Sequence, residues 1–507
     1  METPENPIAK ITIDPAFVVG PVRRKTFGAF VEHLGRCVYT GIFEPDHPTA
    51  DEEGFRKDVL ELTKELGVST VRYPGGNFVS GYRWEDGVGP KDERPTRLDL
   101  AWHSTDPNLV GVDEFAAWSA KAGVEPMMAV NLGTRGTQEA LDLLEYSNIK
   151  GGTALSEQRK ANGAVEPHNI SMWCLGNEMD GFWQIGHKKA GEYARLAAET
   201  ARAMRMVNPD LELVACGSSG PNIPTFGEWE RVVLNETYEL VDLISAHQYF
   251  EDFGDLQEHL SAGHRMEAFI TDLVSHIDHV KSATKSEKQV NISFDEWNVW
   301  HMSRDESKVP TGDDWPVAPV LLEDRYTVAD AVVVGDLLIT LLRHTDRVHS
   351  ASLAQLVNVI APIMTEPGGR AWKQTTFHPF ALTSRHASGQ VLNLAVESAR
   401  LDSEKTANFA ALSAVATFDA DAGEAVVFAV NRSTADALTL DAAVGNLGAT
   451  RILEAVTYTN KDPYWQATAD DSTSVLPSEN VSVKLDDGKL TAELPAVSWS
   501  MIRLQLG

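Results

Sequence analysis

Between about residue 25 and residue 355, short apolar runs of strand character alternate with longer segments of helical period. The runs lie at 26–31, 69–73, 125–131, 170–175, 212–216, 243–247, 289–294 and 350–354, and between them fall amphipathic stretches such as 54–66, 113–122, 191–207 and 266–280. In the first of these, Val59, Leu60, Leu62 and Leu66 gather near one helical face. Parallel strands need crossovers, so this alternation implies a parallel sheet, and eight units imply a closed (β/α)8 barrel. After about residue 384 the helical period stops. Short β-rich runs at 391–396, 407–418, 425–431, 451–458, 481–484 and 498–506 follow, punctuated by turns such as Asp486-Asp487-Gly488. These predict an antiparallel, jelly-roll-like β-sandwich. The expected division of the 507 residues is 1–24, whose run 9–13 would join the sandwich, 25–384 for the barrel and 385–507 for the sandwich. No low-complexity linker separates the two domains, so they should pack together.

The formal net charge of −29 argues against nucleic acid or an anionic membrane surface as a partner. Cys37, Cys174 and Cys216 are odd in number and widely spaced, which fits neither a disulfide framework nor a zinc ligand set. Met1 to Lys10 lack the basic start and apolar core of a signal peptide. The longest apolar stretch, 329–342, is interrupted by Asp330 and Asp336 and is too short to span a bilayer. Together these features place the chain in a reducing cytoplasm.

Two runs end on a glutamate. The fourth reads Ile170-Ser171-Met172-Trp173-Cys174-Leu175-Gly176-Asn177-Glu178, and the seventh Val290-Asn291-Ile292-Ser293-Phe294-Asp295-Glu296-Trp297-Asn298. The carboxyl ends of barrel strands carry the chemistry of such folds, and strands four and seven lie across the mouth from one another. Two carboxylates there are the minimal equipment for cleaving a glycosidic bond. The plain alternative is that Asn177 or Asp295 caps a following helix and each glutamate favours its dipole. One such site alone would favour that alternative, and two in register favour catalysis.

Other strand ends carry sugar-binding groups: Glu32-His33 on strand one, Arg72-Tyr73-Pro74-Gly75-Gly76-Asn77 on strand two, His247-Gln248-Tyr249 on strand six and Gln355 on strand eight. Converging polar and aromatic side chains suit a ligand with many hydroxyls and flat apolar faces. Taken singly, Arg72 also reads as a structural ion-pair partner, Pro74-Gly75-Gly76 as a turn, His247 as a core histidine, and Trp102 and Trp300 as core or loop aromatics. Residues 300–323, rich in Asp and Pro, form a long loop that should border the site.

The segments Phe30-Val31-Glu32-His33-Leu34-Gly35-Arg36, Arg72-Tyr73-Pro74-Gly75-Gly76-Asn77, Trp173-Cys174-Leu175-Gly176-Asn177-Glu178 and Asp295-Glu296-Trp297-Asn298 resemble the motifs of glycoside hydrolase family 51, the retaining α-L-arabinofuranosidases. The resemblance runs over essentially the whole chain. It implies Glu178 as acid/base and Glu296 as nucleophile, with Glu32, Asn77, Asn177, Tyr249 and Gln355 holding furanose hydroxyls. Arg72 and His247 would lie beneath the carboxylates, tuning Glu296 and orienting its neighbours. It further implies an oligosaccharide substrate bearing α-L-arabinofuranosyl ends, and a homo-oligomer, often a hexamer.

A metal-dependent hydrolase would want His-x-His on strand one or carboxylates on adjacent strands, and no such ligand set is visible; no cofactor is called for. A Schiff-base aldolase would need a lysine at a strand end, and none of the eight has one. A non-catalytic sugar-binding module would dispense with the paired carboxylates. The rival that stays open is another retaining glycosidase of the same clan, acting on a pyranoside or within a polymer. The number of hydroxyl partners around one sugar, together with a cytoplasmic setting, favours exo action on small fragments.

Overall fold

The computed structural model of the protein describes residues 6–507; the N-terminal segment read above for signal-peptide character begins with five residues outside that range. Eight parallel strands close into a ring in chain order: Gly28–Phe30, Thr70–Tyr73, Glu125–Ala129, Met172–Leu175, Glu212–Ala215, Leu243–Phe250, Asn291–Val299 and Val348–Leu353. Each overlaps one of the expected apolar runs. Strands four and seven are buried at every position, because helices cover them outside and side chains fill the barrel inside. The helix Lys57–Leu66 buries Val59, Leu60, Thr63 and Leu66 against the barrel.

Strands six and seven outrun their expected ends. They stay paired as far as Phe250 and Val299, so His247 and Glu296 lie within strands and not at their tips. Strand seven also carries register shifts against both neighbours, between Ser293 and Glu296 on one side and between Phe294 and Trp297 on the other. Such bulges re-aim side chains. Here the consecutive residues Asp295 and Glu296 both bond to barrel-interior partners, which a regular period of two would forbid.

Beyond the barrel, two sheets face each other. One runs Ala395–Glu397, Ile8–Thr12, Leu438–Ala443, Lys489–Leu494 and Lys484–Asp486; the other runs Val18–Pro21, Gln390–Leu392, Leu412–Asp419, Glu424–Asn431, Ser498–Leu506, Ala449–Tyr458 and Ser478–Glu479. Ile8–Thr12 pairs in parallel with Leu438–Ala443, and Ala9, Ile11 and Ile13 enter the apolar layer with Leu440, Val427 and Ile502. The expected run 481–484 is not one strand. Asn480 accepts the Ser482 backbone N–H at 3.1 Å, a side-chain turn that breaks the run and leaves Val481 exposed.

The helix Val328–Arg343 joins the two domains. All its residues but Arg343 are buried. A Cβ on Gly335 would come within 2.3 Å of Trp499 Cδ1, so only glycine lets helix and sheet approach this closely. The two aspartates that interrupt this apolar stretch are paired: Asp336 accepts Arg432 Nε and Nη2 at 2.7 and 2.9 Å, and Asp330 meets His259 at 2.8 Å. Among the described residues, no helix is long and apolar enough to cross a membrane.

Candidate active site

The site is built around one guanidinium. Arg72, on strand two, is fully buried over the Phe30 ring, with its Nη1 donating to Glu296 Oε1 at 2.7 Å and Nη2 to Asn177 Oδ1 at 2.5 Å. Burial opposes a cation there, but the carboxylates of Asp295 and Glu296 outweigh it and hold Arg72 well above its ordinary range. Arg72 therefore ties strand two to strands four and seven. Neither Asn177 nor Asp295 caps a helix: Asn177 takes Arg72, and Asp295 Oδ1 lies 3.0 Å from His247 Nε2.

His247 bridges the carboxylates. Its Nδ1 lies 2.9 Å from Glu178 Oε1 and 3.6 Å from Glu296 Oε2. Burial alone would lower the imidazole pKa, but the charge of Glu296 and the bonds to Asp295 and Glu178 together push it up to about 10. An imidazolium that donates from both nitrogens, to Glu178 and to Asp295, has no lone pair to give a cation, although Glu178, His247 and Glu296 lie close enough to surround one. One carboxylate oxygen of Glu178 and one of Glu296 lie within 4.8 Å of each other, close enough for the two groups to flank a single glycosidic bond.

The two glutamates are held differently. Glu178 accepts Trp183 Nε1 at 2.8 Å, and burial raises its pKa against the opposing hydrogen bond from His247. Its backbone sits at φ 44°, left-handed and unfavourable for a residue with a Cβ, a conformation the surrounding contacts must maintain. Glu296 accepts Arg72 on one oxygen and the Tyr249 hydroxyl, at 2.8 Å, on the other.

Glu32 closes the pocket opposite. Its carboxylate accepts the Phe78 N–H and Trp102 Nε1, each at 2.9 Å, and Gln355 Nε2 at 3.0 Å. Burial pushes its pKa up to about 8 despite these donors. A Cβ on Gly75, at φ 143°, would lie 2.4 Å from Glu32 Cγ, and one on Gly76 would lie 3.2 Å from Glu296 Oε1. The Pro-Gly-Gly stretch thus clears the space between the carboxylates.

A cavity of about 870 Å³ opens over these groups, with Glu32, Asn77, Trp102, Glu178, His247, Tyr249, Glu296, Trp300 and Gln355 on its wall. Trp300 meets the Tyr249 ring edge-on at 5.1 Å. Arg72 and Asn177 lie behind the wall. Asn177 Nδ2 and Gln355 Oε1 are buried with no hydrogen-bond partner among the described residues, which leaves both able to bond a polar ligand. Sequence reasoning missed Trp183, and its one signal was an aromatic pair with Phe182 just after Glu178.

A parallel eight-stranded barrel with carboxylates facing each other from strands four and seven defines the class: this is a barrel glycoside hydrolase. Residues 62–267 match the α-L-arabinofuranosidase 1 domain and residues 295–498 the α-L-arabinofuranosidase C-terminal domain. An intracellular exo-α-(1→5)-L-arabinofuranosidase of Streptomyces lividans is 56% identical over 98% of this chain and 75% of its own length. An exo-α-(1→6)-L-arabinofuranosidase of Bifidobacterium longum is 53% identical over 98% and 97%. The solved structure of a family 51 α-L-arabinofuranosidase from Bifidobacterium longum superposes with a TM-score of 0.95 at 48% identity, covering 99% of this chain and all of that one. The chain belongs to glycoside hydrolase family 51, the α-L-arabinofuranosidases.

Proposed function

We propose that the protein is an exo-acting α-L-arabinofuranosidase that removes terminal non-reducing arabinofuranosyl residues from oligosaccharides inside the cell. The reading is carried by a pair of carboxylates with oxygens within 4.8 Å of each other in a pocket lined by carboxylate, amide and aromatic groups, and supported by family membership and by the relatives named intracellular exo-enzymes. Glu296 is the nucleophile: Arg72 and Tyr249 aim its carboxylate, which attacks the anomeric carbon as the glycosidic bond breaks. Glu178 is the acid. It gives a proton to the leaving oxygen, a role that the upward shift of its pKa by burial favours, and after departure its carboxylate takes a proton from the water that releases the sugar. Glu32, Asn77, Asn177 and Gln355 hold the furanose hydroxyls, and Trp102 and Trp300 flank the ring. Its relatives act on both (1→5) and (1→6) linkages at similar identity, so linkage preference rests on the leaving side. Self-association is part of the same proposal, carried by family resemblance alone.

Nitrophenyl α-L-arabinofuranoside should be hydrolysed in strong preference to the β-xyloside, β-glucoside and β-galactoside, and proton NMR of the first product should show the retained anomer. Faster turnover of a pyranoside, or the inverted anomer appearing first, would overturn the reading.

A further inference from the structure

Glu32 and His33 follow the first barrel strand side by side, and only Glu32 lines the cavity. The His33 side chain is 1% exposed, and the reaction described above gives it no part. Its Nδ1 donates to Asp106 Oδ2 at 2.6 Å, and its Nε2 lies 2.9 Å from the Tyr73 hydroxyl. The ring stacks on Phe78, with centroids 4.7 Å and planes 15° apart. Asp106 belongs to a hairpin in which Arg97–Asp99 pairs with Ser104–Asp106 and the turn between them carries Trp102. Asp99 accepts the Ala101 backbone N–H at 2.9 Å and so shapes that turn.

The hairpin and Phe78 are also what bonds one oxygen of Glu32. Oε1 accepts the Phe78 N–H and the Trp102 indole N–H, each at 2.9 Å, whereas Oε2 takes Gln355 alone, at 3.0 Å. A Cβ on Gly76 would lie 3.3 Å from Oε2 and 3.2 Å from Glu296 Oε1, so Oε2 faces the cleared space between the carboxylates. The last torsion of a glutamate is broad. Two donors on Oε1 select one orientation and fill its lone pairs, which leaves Oε2 to accept from a ligand. Any buried histidine needs partners. What is specific here is that the carboxylate and the ring that His33 holds both lead to Glu32 Oε1.

We propose that His33 is a positioning residue for sugar recognition: paired with Asp106 and stacked on Phe78, it holds in place both donors on Glu32 Oε1 and so aims Oε2 at a furanose hydroxyl. The inference rests on the arabinofuranosidase reading, in which Glu32 binds the sugar. His33 itself touches no substrate.

The test measures KM and kcat on nitrophenyl α-L-arabinofuranoside. His33→Leu fills the same space and loses the bond to Asp106, which keeps the Tyr39 hydroxyl and the Asn108 N–H as donors; His33→Asn can still donate to Asp106. A contact made equally in ground and transition states acts on KM, so His33→Leu should raise KM about tenfold and leave kcat within about threefold. His33→Asn should stay within about threefold of wild type in both constants. In a Trp102→Phe background, where one donor on Oε1 is already gone, His33→Leu should add no more than about twofold, because residues that act through one another are not additive. An unmoved KM in His33→Leu, an equal rise in the Leu and Asn variants, or a further tenfold rise in the Trp102→Phe background would overturn the inference. If circular dichroism shows His33→Leu unfolded, Asp106→Asn carries the same comparison: it keeps the shape, removes the charge, and must raise KM at least about threefold alone and less than that beside Trp102→Phe. A wild type inert on the nitrophenyl glycoside would overturn the arabinofuranosidase reading and this inference together, and every other contrary outcome overturns this inference alone.

Discussion

The two ends of the cavity are made of different materials. Around Glu32 and Glu296, charged and amide groups from strands one, two, four, six, seven and eight are cross-linked by buried hydrogen bonds, so each side chain has one permitted orientation. Around Ile223 and Phe226, loop and helix supply mainly apolar surface, beside an Arg265 guanidinium that lies over Phe250 and 3.5 Å from Glu258. The first arrangement suits recognition of one sugar, because a wrong ligand leaves buried polar groups without partners. The second suits a leaving chain that varies, because apolar contact is not directional.

The hardest blow to this contrast is Glu296→Ala. It should lower turnover by at least about 10⁴-fold on nitrophenyl and oligosaccharide substrates alike, because no covalent intermediate can form; a residual rate that depended on the leaving group would place the nucleophile elsewhere. Glu178→Ala should discriminate. Arabinotriose hydrolysis should drop about 10²–10⁴-fold, whereas formation of the glycosyl-enzyme from an activated nitrophenyl glycoside, which needs no proton, should fall far less. The same residue fixes a pH limb. Since burial raises the pKa of Glu178, the wild type should hold the acid's proton to higher pH than an exposed glutamate would and lose kcat/KM as pH rises through the Glu178 pKa. The limb should vanish in Glu178→Ala with activated substrates, and its persistence would assign it to another group.

Arg72→Lys should have the smallest effect of the three, about 10–100-fold in kcat/KM on the nitrophenyl glycoside. A lysine ammonium keeps the charge but cannot hold Glu296 and Asn177 with two forks of one plane. Thermal unfolding of the variant in parallel separates misplacement of Glu296 from loss of fold, and activity within threefold of wild type would reduce Arg72 to a structural ion pair.

Much of this was legible before any coordinates. All eight barrel strands were marked by apolar runs, since a strand covered on both faces must be apolar along its length. Glu178 and Glu296 stood out because a charge at the edge of such a run is costly without a purpose. Trp183, by contrast, lies in a loop with no period, and its bond to Glu178 follows from how residues 179–187 fold back over the mouth. Asp180 was equally silent, because its partners Ser219 and Thr225 come from the following βα loop.

The sequence by itself determined the eightfold alternation and the β-rich tail, and made Glu178 and Glu296 the candidate carboxylates, because burial imposes periods against which a charge stands out. Only the tertiary structure decided where those side chains point. Period two would send Asp295 and Glu296 to opposite faces of the strand, and both turn inward because strand seven bulges against both of its neighbours. A bulge is a property of pairing between strands, and Arg72 meets Glu296 from 224 positions away. Neither can be written in the local pattern of one strand.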